Sequence, residues 1–191
     1  MKKIKIKICG QTNPAIIEHC LNIVVNQQVL IFYDRSPRIL DNDTLKIIHQ
    51  YFEQFQDLFV GVFVNPSIEQ IEEKLNIYNF QTIQLHGDEN QELIDKIKSQ
   101  FQKKIYKSIS PEEFKVTNLK KIDRFLIEAK PDLKEQPGGN NKTWNWSNFE
   151  NPLGHPFILS GGLNQNNIIE AINLTGTEFI DINSGVEEIK G

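Results

Sequence analysis

The sequence predicts an α/β fold in which eight strand–helix units close into a (β/α)8 TIM barrel, a single domain over residues 1–191. Short runs of branched apolar residues alternate with amphipathic segments along the whole chain, which favours a parallel sheet with right-handed crossovers. Eight such units favour a closed barrel over an open sheet. No segment after the eighth strand is long enough for another helix, so we expect a barrel without its last helix.

The strands are predicted from their period and their composition. Apolar and cationic residues alternate up to Ile8, which is typical of a strand with one buried face. Residues 58–64 form a continuous run of β-branched and aromatic residues, as in strands that are buried on both faces. In chain order, the strands are predicted at 3–8, 28–32, 58–64, 82–85, 104–108, 124–128, 156–159 and 178–182.

The helices are predicted from capping residues and from the spacing of apolar residues. Asn13 and Pro14 suit the cap and the first turn of a helix. Ser110 with Glu113 has the spacing of a capping box. The helices are predicted at 14–25, from Asp41 or Asp43 to 55, at 68–75, 90–101 and 110–113, in a short piece near Trp146, and at 165–173. The long irregular segment 129–143 is expected to be a functional or disordered loop.

Composition and charge restrict the function. A net charge of −4 and a pI near 5.6 argue against a nucleic-acid binder, because no basic excess is available to neutralise phosphates. No apolar run approaches the roughly 18–20 residues that cross a membrane. Cys9 and Cys20 form no regular framework, so we expect no disulfide scaffold and a reducing cytoplasm.

The candidate catalytic residues directly follow predicted strands, because ligands bind at the carboxyl ends of barrel strands. Cys9 follows the first strand and Glu128 ends the sixth. The two could act as base and acid if positive charge lowers the pKa of the thiol and burial raises the pKa of the carboxyl. The planar guanidinium of Arg38 is suited to bind a substrate carboxylate through two parallel hydrogen bonds. His86 follows the fourth strand, which points it toward the mouth of the barrel. We expect a structural or loop-capping histidine there, with a base as the alternative.

Two glycine-containing loops are candidates for binding a phosphate group. Gly161 and Gly162 follow the seventh strand, and Ser184 and Gly185 follow the eighth. Small residues allow backbone N–H groups to approach an anion, and barrels commonly bind phosphate at these two positions.

Several short motifs occur along the chain in a fixed order. They are Lys7-Ile8-Cys9-Gly10 with Thr12, Ser36-Pro37-Arg38, Gln84-Leu85-His86-Gly87, Ser160-Gly161-Gly162-Leu163 and Asp181-Ile182-Asn183-Ser184-Gly185-Val186-Glu187. Together they resemble the phosphoribosylanthranilate isomerases of tryptophan biosynthesis. The resemblance implies a barrel that catalyses an Amadori rearrangement of N-(5′-phosphoribosyl)anthranilate, with no cofactor and no metal ion.

The resemblance also implies residue roles. Cys9 would remove the C2′ proton, and Glu128, where the family has an aspartate, would protonate the ribose ring oxygen. Arg38 would hold the anthranilate carboxylate, His86 would line the substrate site, and the loops with Gly162 and with Ser184 and Gly185 would hold the phosphate. We expect a cytoplasmic monomer or homodimer that acts on a small phosphosugar, without nucleic acid or membrane.

The family continues into a last helix where this chain ends, so outward apolar residues of the eighth and first strands are expected to be uncovered. Two other functions stay open. One is a degenerate barrel that binds a sugar phosphate or a partner without turnover. The other is a different phosphosugar barrel enzyme, either an epimerase or a histidine-pathway isomerase. The epimerase lacks support because no metal-ligand histidine cluster is present in the sequence. The histidine-pathway isomerase lacks support because its pair of catalytic aspartates is missing.

Overall fold

Eight parallel strands form a closed barrel in which each strand pairs with the next along the chain and the last pairs with the first. The structure is a computed structural model that describes residues 3–23, 25–130 and 142–187. The strands are β1 (Lys5–Ile8), β2 (Gln27–Ile31), β3 (Phe59–Phe63), β4 (Thr82–Leu85), β5 (Lys104–Ile109), β6 (Arg124–Ile127), β7 (Phe157–Leu159) and β8 (Phe179–Ile182). The predicted (β/α)8 barrel is confirmed.

Six α-helices lie among the described residues. They are α1 (Pro14–Asn22), α2 (Asn42–Phe52), α3 (Ile68–Ile77), α4 (Gln91–Phe101), α5 (Pro111–Phe114) and α6 (Ile168–Thr175). Short 3₁₀ turns occur at Glu53–Leu58, Trp146–Asn148 and Ser184–Val186. Of the long loop predicted at 129–143, residues 131–141 lie outside the described part of the chain.

The helices begin where short polar side chains satisfy their first backbone N–H groups. Asn13 accepts a hydrogen bond from the N–H of Ala15, with Pro14 as the first helical residue of α1. Asp41, not Asp43, caps α2, and Ser110 caps α5 in a capping box. The predicted starts of these three helices are therefore confirmed.

Three helices differ from their predicted bounds by three residues at one end. α2 ends at Phe52, whereas its predicted end is at 55. α1 ends at Asn22, three residues before the predicted end. α6 begins at Ile168, three residues after the predicted start. The reason at α6 is a local turn, in which the side chain of Asn167 accepts a hydrogen bond from the N–H of Asn164 at 2.8 Å. Asparagine side chains that bond nearby backbone groups compete with helix formation in this way.

The core has two layers. Alternate strand residues fill the barrel interior with Val29, Val60, Val62, Tyr106, Leu126, Ile158 and Phe179. The other face of each strand packs against the surrounding helices, in clusters that include Leu30, Ile83 and Ile94. The inner apolar layer closes the barrel below its carboxyl-terminal mouth, where the interior side chains become polar. This change from apolar to polar interior side chains places a candidate site at the mouth of the barrel.

The outward residues of β8 are covered. Ile180 and Ile182 are only 2% and 7% exposed, and they pack with Leu163 and Ala171. The outward residues Ile6 and Ile8 of β1 are half-buried against the same cluster. The expectation of an uncovered apolar face is therefore wrong for β8, since α6 and the loop after β7 supply side chains to that face.

Candidate active site

Three candidate residues are fixed to the barrel by hydrogen bonds that continue the strand ladders past the strand ends. The N–H of Cys9 donates to the carbonyl oxygen of Ile182 at 2.9 Å. The N–H of His86 donates to Phe63 at 2.9 Å, and that of Glu128 donates to Ile109 at 3.3 Å. These side chains are therefore carried by the rigid sheet at its carboxyl end, as predicted.

The carboxylate of Glu128 contacts two side chains from neighbouring strands. Its Oε1 atom lies against Nε2 of His86 and accepts a hydrogen bond of 2.7 Å from the hydroxyl of Ser108. Burial acts to raise the pKa of Glu128, but His86, Ser108 and the charge of Lys7 outweigh it and hold this pKa below its usual value. The proposed acid is thus a carboxylate held by a positive and polar environment.

His86 turns toward Glu128 and is 12% exposed. Its other ring nitrogen, Nδ1, lies 3.2 Å from Nε2 of Gln84, which is two residues earlier and on the same strand face. The ring is therefore held between an amide and a carboxylate. His86 lies at the mouth of the barrel, as its place after the fourth strand predicts, and its contacts make it a partner of Glu128.

Cys9 is a partly buried thiol among charged groups. Burial raises its pKa to about 12, and the carboxylates of Asp181 and Glu128 add to this effect. The cations Lys7 and Arg38 act in the opposite direction. The pKa shifts of Cys9 and Glu128 are both opposite to the directions that the base and acid roles need, so the protein alone does not supply those protonation states.

Arg38 is 2% exposed and is already held by a carboxylate of the chain. Its Nε and Nη2 atoms donate to the two oxygens of Glu187 at 2.6 and 2.5 Å. This bond raises the pKa of the guanidinium. Gly10 gives Arg38 its space, because a Cβ at Gly10 would lie 2.4 Å from Cδ of Arg38. Arg38 therefore packs against Gly10, the residue after Cys9, and the guanidinium that is predicted to bind a substrate carboxylate is bonded to Glu187.

The loops after β7 and β8 lie against each other. A Cβ at Gly185 would come within 2.0 Å of the carbonyl oxygen of Leu163, so only glycine allows this approach. Gly161 and Gly162 have positive φ angles of 94° and 63°. The carbonyl of Gly162 accepts hydrogen bonds from the side-chain amides of Asn164 and Asn167. The structure thus brings Gly162 together with Ser184 and Gly185, the two predicted phosphate loops.

Several charged and polar residues of the mouth had no role predicted from the sequence. Lys7 pairs with Asp181, Ser108 bonds Glu128, and Glu187 bonds Arg38. The alternation of β1 places Lys7 on the same strand face as Cys9, which is a signal available in the sequence. The partners of Lys7 and Arg38 come from the far end of the chain, and only barrel closure brings them near.

Within residues 3–23, 25–130 and 142–187, no three histidine, cysteine or acidic side chains group closely enough to hold a metal ion. Over the same residues, no helix is both long and apolar enough to span a membrane.

These features define a (β/α)8-barrel protein with a candidate active site at the carboxyl ends of its strands. The thiol, the carboxyl–imidazole pair and the guanidinium lie at one mouth, beside two glycine loops. The comparisons with known proteins narrow this class to one family. A family model described as N-(5′phosphoribosyl)anthranilate (PRA) isomerase matches residues 6–191. The chain belongs to this family.

Individual relatives and solved structures that are similar to this chain carry the name of the same family. An N-(5′-phosphoribosyl)anthranilate isomerase of Legionella pneumophila (strain Paris) is 32% identical over 194 residues, covering 99% of this chain and 90% of the relative. A solved phosphoribosylanthranilate isomerase of Thermotoga maritima, described as monomers generated from a dimeric enzyme, has a TM-score of 0.78 at 26% identity, covering 98% and 91% of the two chains. A second solved phosphoribosyl anthranilate isomerase, in complex with reduced 1-(o-carboxyphenylamino)-1-deoxyribulose 5-phosphate, has a TM-score of 0.72 at 25% identity. The match covers 98% of this chain and 91% of that structure.

Proposed function

We propose that this site carries out the isomerisation for which its family is named, the Amadori rearrangement of N-(5′-phosphoribosyl)anthranilate in tryptophan biosynthesis. The observation that carries the proposal is the convergence of Cys9, Glu128 and Arg38 on one barrel mouth, in a chain of this family. The reaction moves two hydrogens within one molecule and needs only an acid and a base. The substrate is a small phosphosugar, with a carboxylate at one end and a phosphate at the other.

In this proposal Glu128 delivers a proton to the ribose ring oxygen. The C1′–O bond breaks as the nitrogen lone pair forms a C=N bond, which leaves an iminium cation. The contact with Nε2 of His86 gives Glu128 a neighbouring proton source. When the Gln84 amide is turned so that its buried Oε1 accepts from Nδ1, the ring carries protons on both nitrogens and can pass the Nε2 proton to the carboxylate. The acid is therefore the coupled pair of Glu128 and His86.

Cys9 then removes the proton from C2′ as a thiolate. The iminium cation formed in the first step lies beside the sulfur, and a nearby positive charge lowers the pKa of a thiol. This substrate charge compensates for the burial that raises the pKa of Cys9. The resulting enolamine gains a proton at C1′ from the Cys9 thiol and loses its O2′ proton to Glu128 to give the ketone. Both groups thereby return to their starting states, and substrate and product are isomers.

The ends of the substrate are held by the remaining predicted residues. Arg38 faces the anthranilate carboxylate, and the loops of Gly162 and of Ser184 and Gly185 surround the phosphate. Backbone N–H groups in such glycine loops are suited to phosphate oxygens. We further propose that the chain works in the cytoplasm as a monomer or a homodimer, which analytical ultracentrifugation of the purified protein will distinguish.

Complementation tests the proposal directly. The wild-type chain is expected to restore growth without tryptophan to a strain that lacks this isomerase, and Cys9→Ala is expected not to, because it removes the base. Cys20→Ala, in the buried side of α1, is the matched control that keeps growth. If the soluble wild-type protein fails to restore growth, the barrel that binds without turnover becomes the better assignment.

A further inference from the structure

Lys7 and Asp181 form a buried ion pair that the proposed reaction does not use. The Nζ atom of Lys7 lies 2.9 Å from Oδ1 of Asp181, and the side chains are 0% and 7% exposed. The two residues are direct partners in the register of β1 and β8. Burying two charges costs desolvation energy that hydrophobic residues of similar size would avoid. A pair retained at this place therefore calls for a role other than stability.

The pair lies directly beside Cys9. Lys7 and Cys9 are two residues apart on β1 and share its inward face. The residue after Asp181, Ile182, accepts the backbone hydrogen bond of Cys9. The charged groups that act on the thiol are Lys7 from β1, Asp181 from β8, Glu128 after β6 and Arg38 after β2.

Two of these four groups are committed elsewhere. Glu128 is bonded to His86 and Ser108, and Arg38 is bonded to both oxygens of Glu187. Asp181 and Lys7 are also the two charged groups that act most strongly on the sulfur. His86, which follows β4, and Glu128 also act electrostatically on the Asp181 carboxylate, in opposite directions.

We propose that Lys7 and Asp181 are positioning residues that set the protonation of Cys9. The Lys7 ammonium stabilises the thiolate while Cys9 acts as a base. Asp181 holds the ammonium in place and favours return of the proton to sulfur. This inference rests on the proposed role of Cys9 as the base, and neither residue of the pair needs to touch the substrate.

The first test measures the thiol itself. Alkylation of Cys9 by iodoacetamide is followed against pH in a Cys20→Ser background, without substrate. Asp181→Asn is expected to raise the alkylation rate at pH 8 at least about tenfold, the effect of lowering the pKa by one unit. Lys7→Met is expected to lower the rate at least about tenfold for the opposite reason. Unchanged profiles, or two shifts of the same sign, would overturn the proposal.

A second variant keeps the test decisive if a single substitution prevents folding. Each single variant buries a charge without its partner, which is strongly destabilising, whereas Lys7→Met combined with Asp181→Asn leaves no lone charge. This double variant is expected to fold, to keep KM within about twofold, and to be alkylated faster than the wild type by a factor of less than about ten, because Asp181 acts on the thiol more strongly than Lys7 does. A double variant that is alkylated at or below the wild-type rate would overturn the proposal.

Failure of this inference is distinguishable from failure of the proposed function. Alkylation reports on the thiol whether or not the protein turns over a substrate. If Cys9→Ala retains turnover, the base assignment fails, whatever the alkylation profiles are. If Cys9→Ala is inactive but the profiles of the pair variants are unchanged, the base assignment stands and the role of the pair fails.

Discussion

Glu187 gives the Arg38 guanidinium a carboxylate partner inside the site where a substrate carboxylate is expected to bind. Both groups are anions, so the Glu187 charge opposes the charge of the anthranilate end. Glu187→Gln keeps the shape and removes the charge. We expect KM to fall about three- to tenfold, because roughly 1 kcal/mol of repulsion is removed at this partly buried position, while kcat stays within about twofold.

Steady-state kinetics of purified Glu187→Gln check this expectation. Glu150→Gln is the matched control, since Glu150 is an exposed carboxylate paired with Lys115 and distant in sequence from the mouth motifs. A higher KM in Glu187→Gln would show the opposite role, that Glu187 orients Arg38 for the substrate.

The carboxylate of Glu128 bridges two other strands of the barrel. Its Oε1 atom contacts both His86, which follows β4, and Ser108 of β5. Glu128→Gln has no proton to transfer and is expected to lose at least about 100-fold in kcat/KM. Glu128→Asp keeps the carboxyl that the family uses and is expected to retain turnover. The pH profile of kcat/KM is measured for both variants. Equal losses in the two would show that the length and contacts of the Glu128 side chain matter, and not its transfer of a proton.

The residues of the site were predictable to different degrees. Cys9, His86 and Glu128 could be located because each follows a recognisable strand, and the barrel rule says which strand end carries function. The bond between Arg38 and Glu187 joins residues 149 apart in the sequence. No periodic pattern encodes such a pair, because it exists only after β8 has closed onto β1. The pKa directions of Cys9 and Glu128 depend on burial and on these distant charges, so they too needed the three-dimensional arrangement.

At the level of elements, capping residues predict where a helix starts better than any sequence signal predicts where it ends. Ser110 and Glu113 form the predicted capping box at α5, and Asn13 caps α1. The end of α2 was predicted at 55, but the chain passes from Phe52 into a 3₁₀ turn over Glu53–Leu58. Tertiary packing decides such ends, because local propensity changes little from one helical form to the other.

The turn between β1 and α1 depends on Gly10. Its φ angle is +81°, and an added Cβ would lie 2.4 Å from Cδ of the buried Arg38 side chain. Gly10→Ala therefore combines a left-handed backbone with a clash, and we expect it to destabilise the fold by roughly 2–4 kcal/mol. Urea unfolding measures the change in the free energy of unfolding.

Gly154→Ala is the matched control for this turn. Gly154 has a φ angle of +65° and nothing within 4 Å of an added Cβ, so it isolates the cost of the backbone conformation, about 1–2 kcal/mol. Gly10→Ala should exceed this cost and should also raise KM, since Arg38 is displaced. Equal destabilisation by the two substitutions would show that the contact with Arg38 has no energetic weight.

At the scale of the whole molecule, the barrel buries groups that must stay neutral, and this makes its stability depend on alkaline pH. Burial raises the pKa of the Cys9 thiol from its ordinary 9.0 to about 12. Tyr78, fully buried with its hydroxyl donating to the carbonyl of Phe52, also has a raised pKa because of burial. Between pH 9 and 12 the folded chain keeps the Cys9 proton that the unfolded chain releases. Rising pH therefore favours unfolding.

Cys9→Ser isolates the thiol's share of this effect, because a serine hydroxyl does not titrate in this range. The wild-type free energy of unfolding is expected to fall more steeply than that of Cys9→Ser, by about 1.4 kcal/mol per pH unit above pH 9. Below pH 8 the two proteins should differ by a constant amount, since the thiol is protonated in both states. Urea unfolding at half-unit steps from pH 7.5 to 10.5 measures the two slopes. Parallel curves throughout would show that Cys9 titrates equally in the folded and unfolded chains, and that the barrel mouth does not shield it from water.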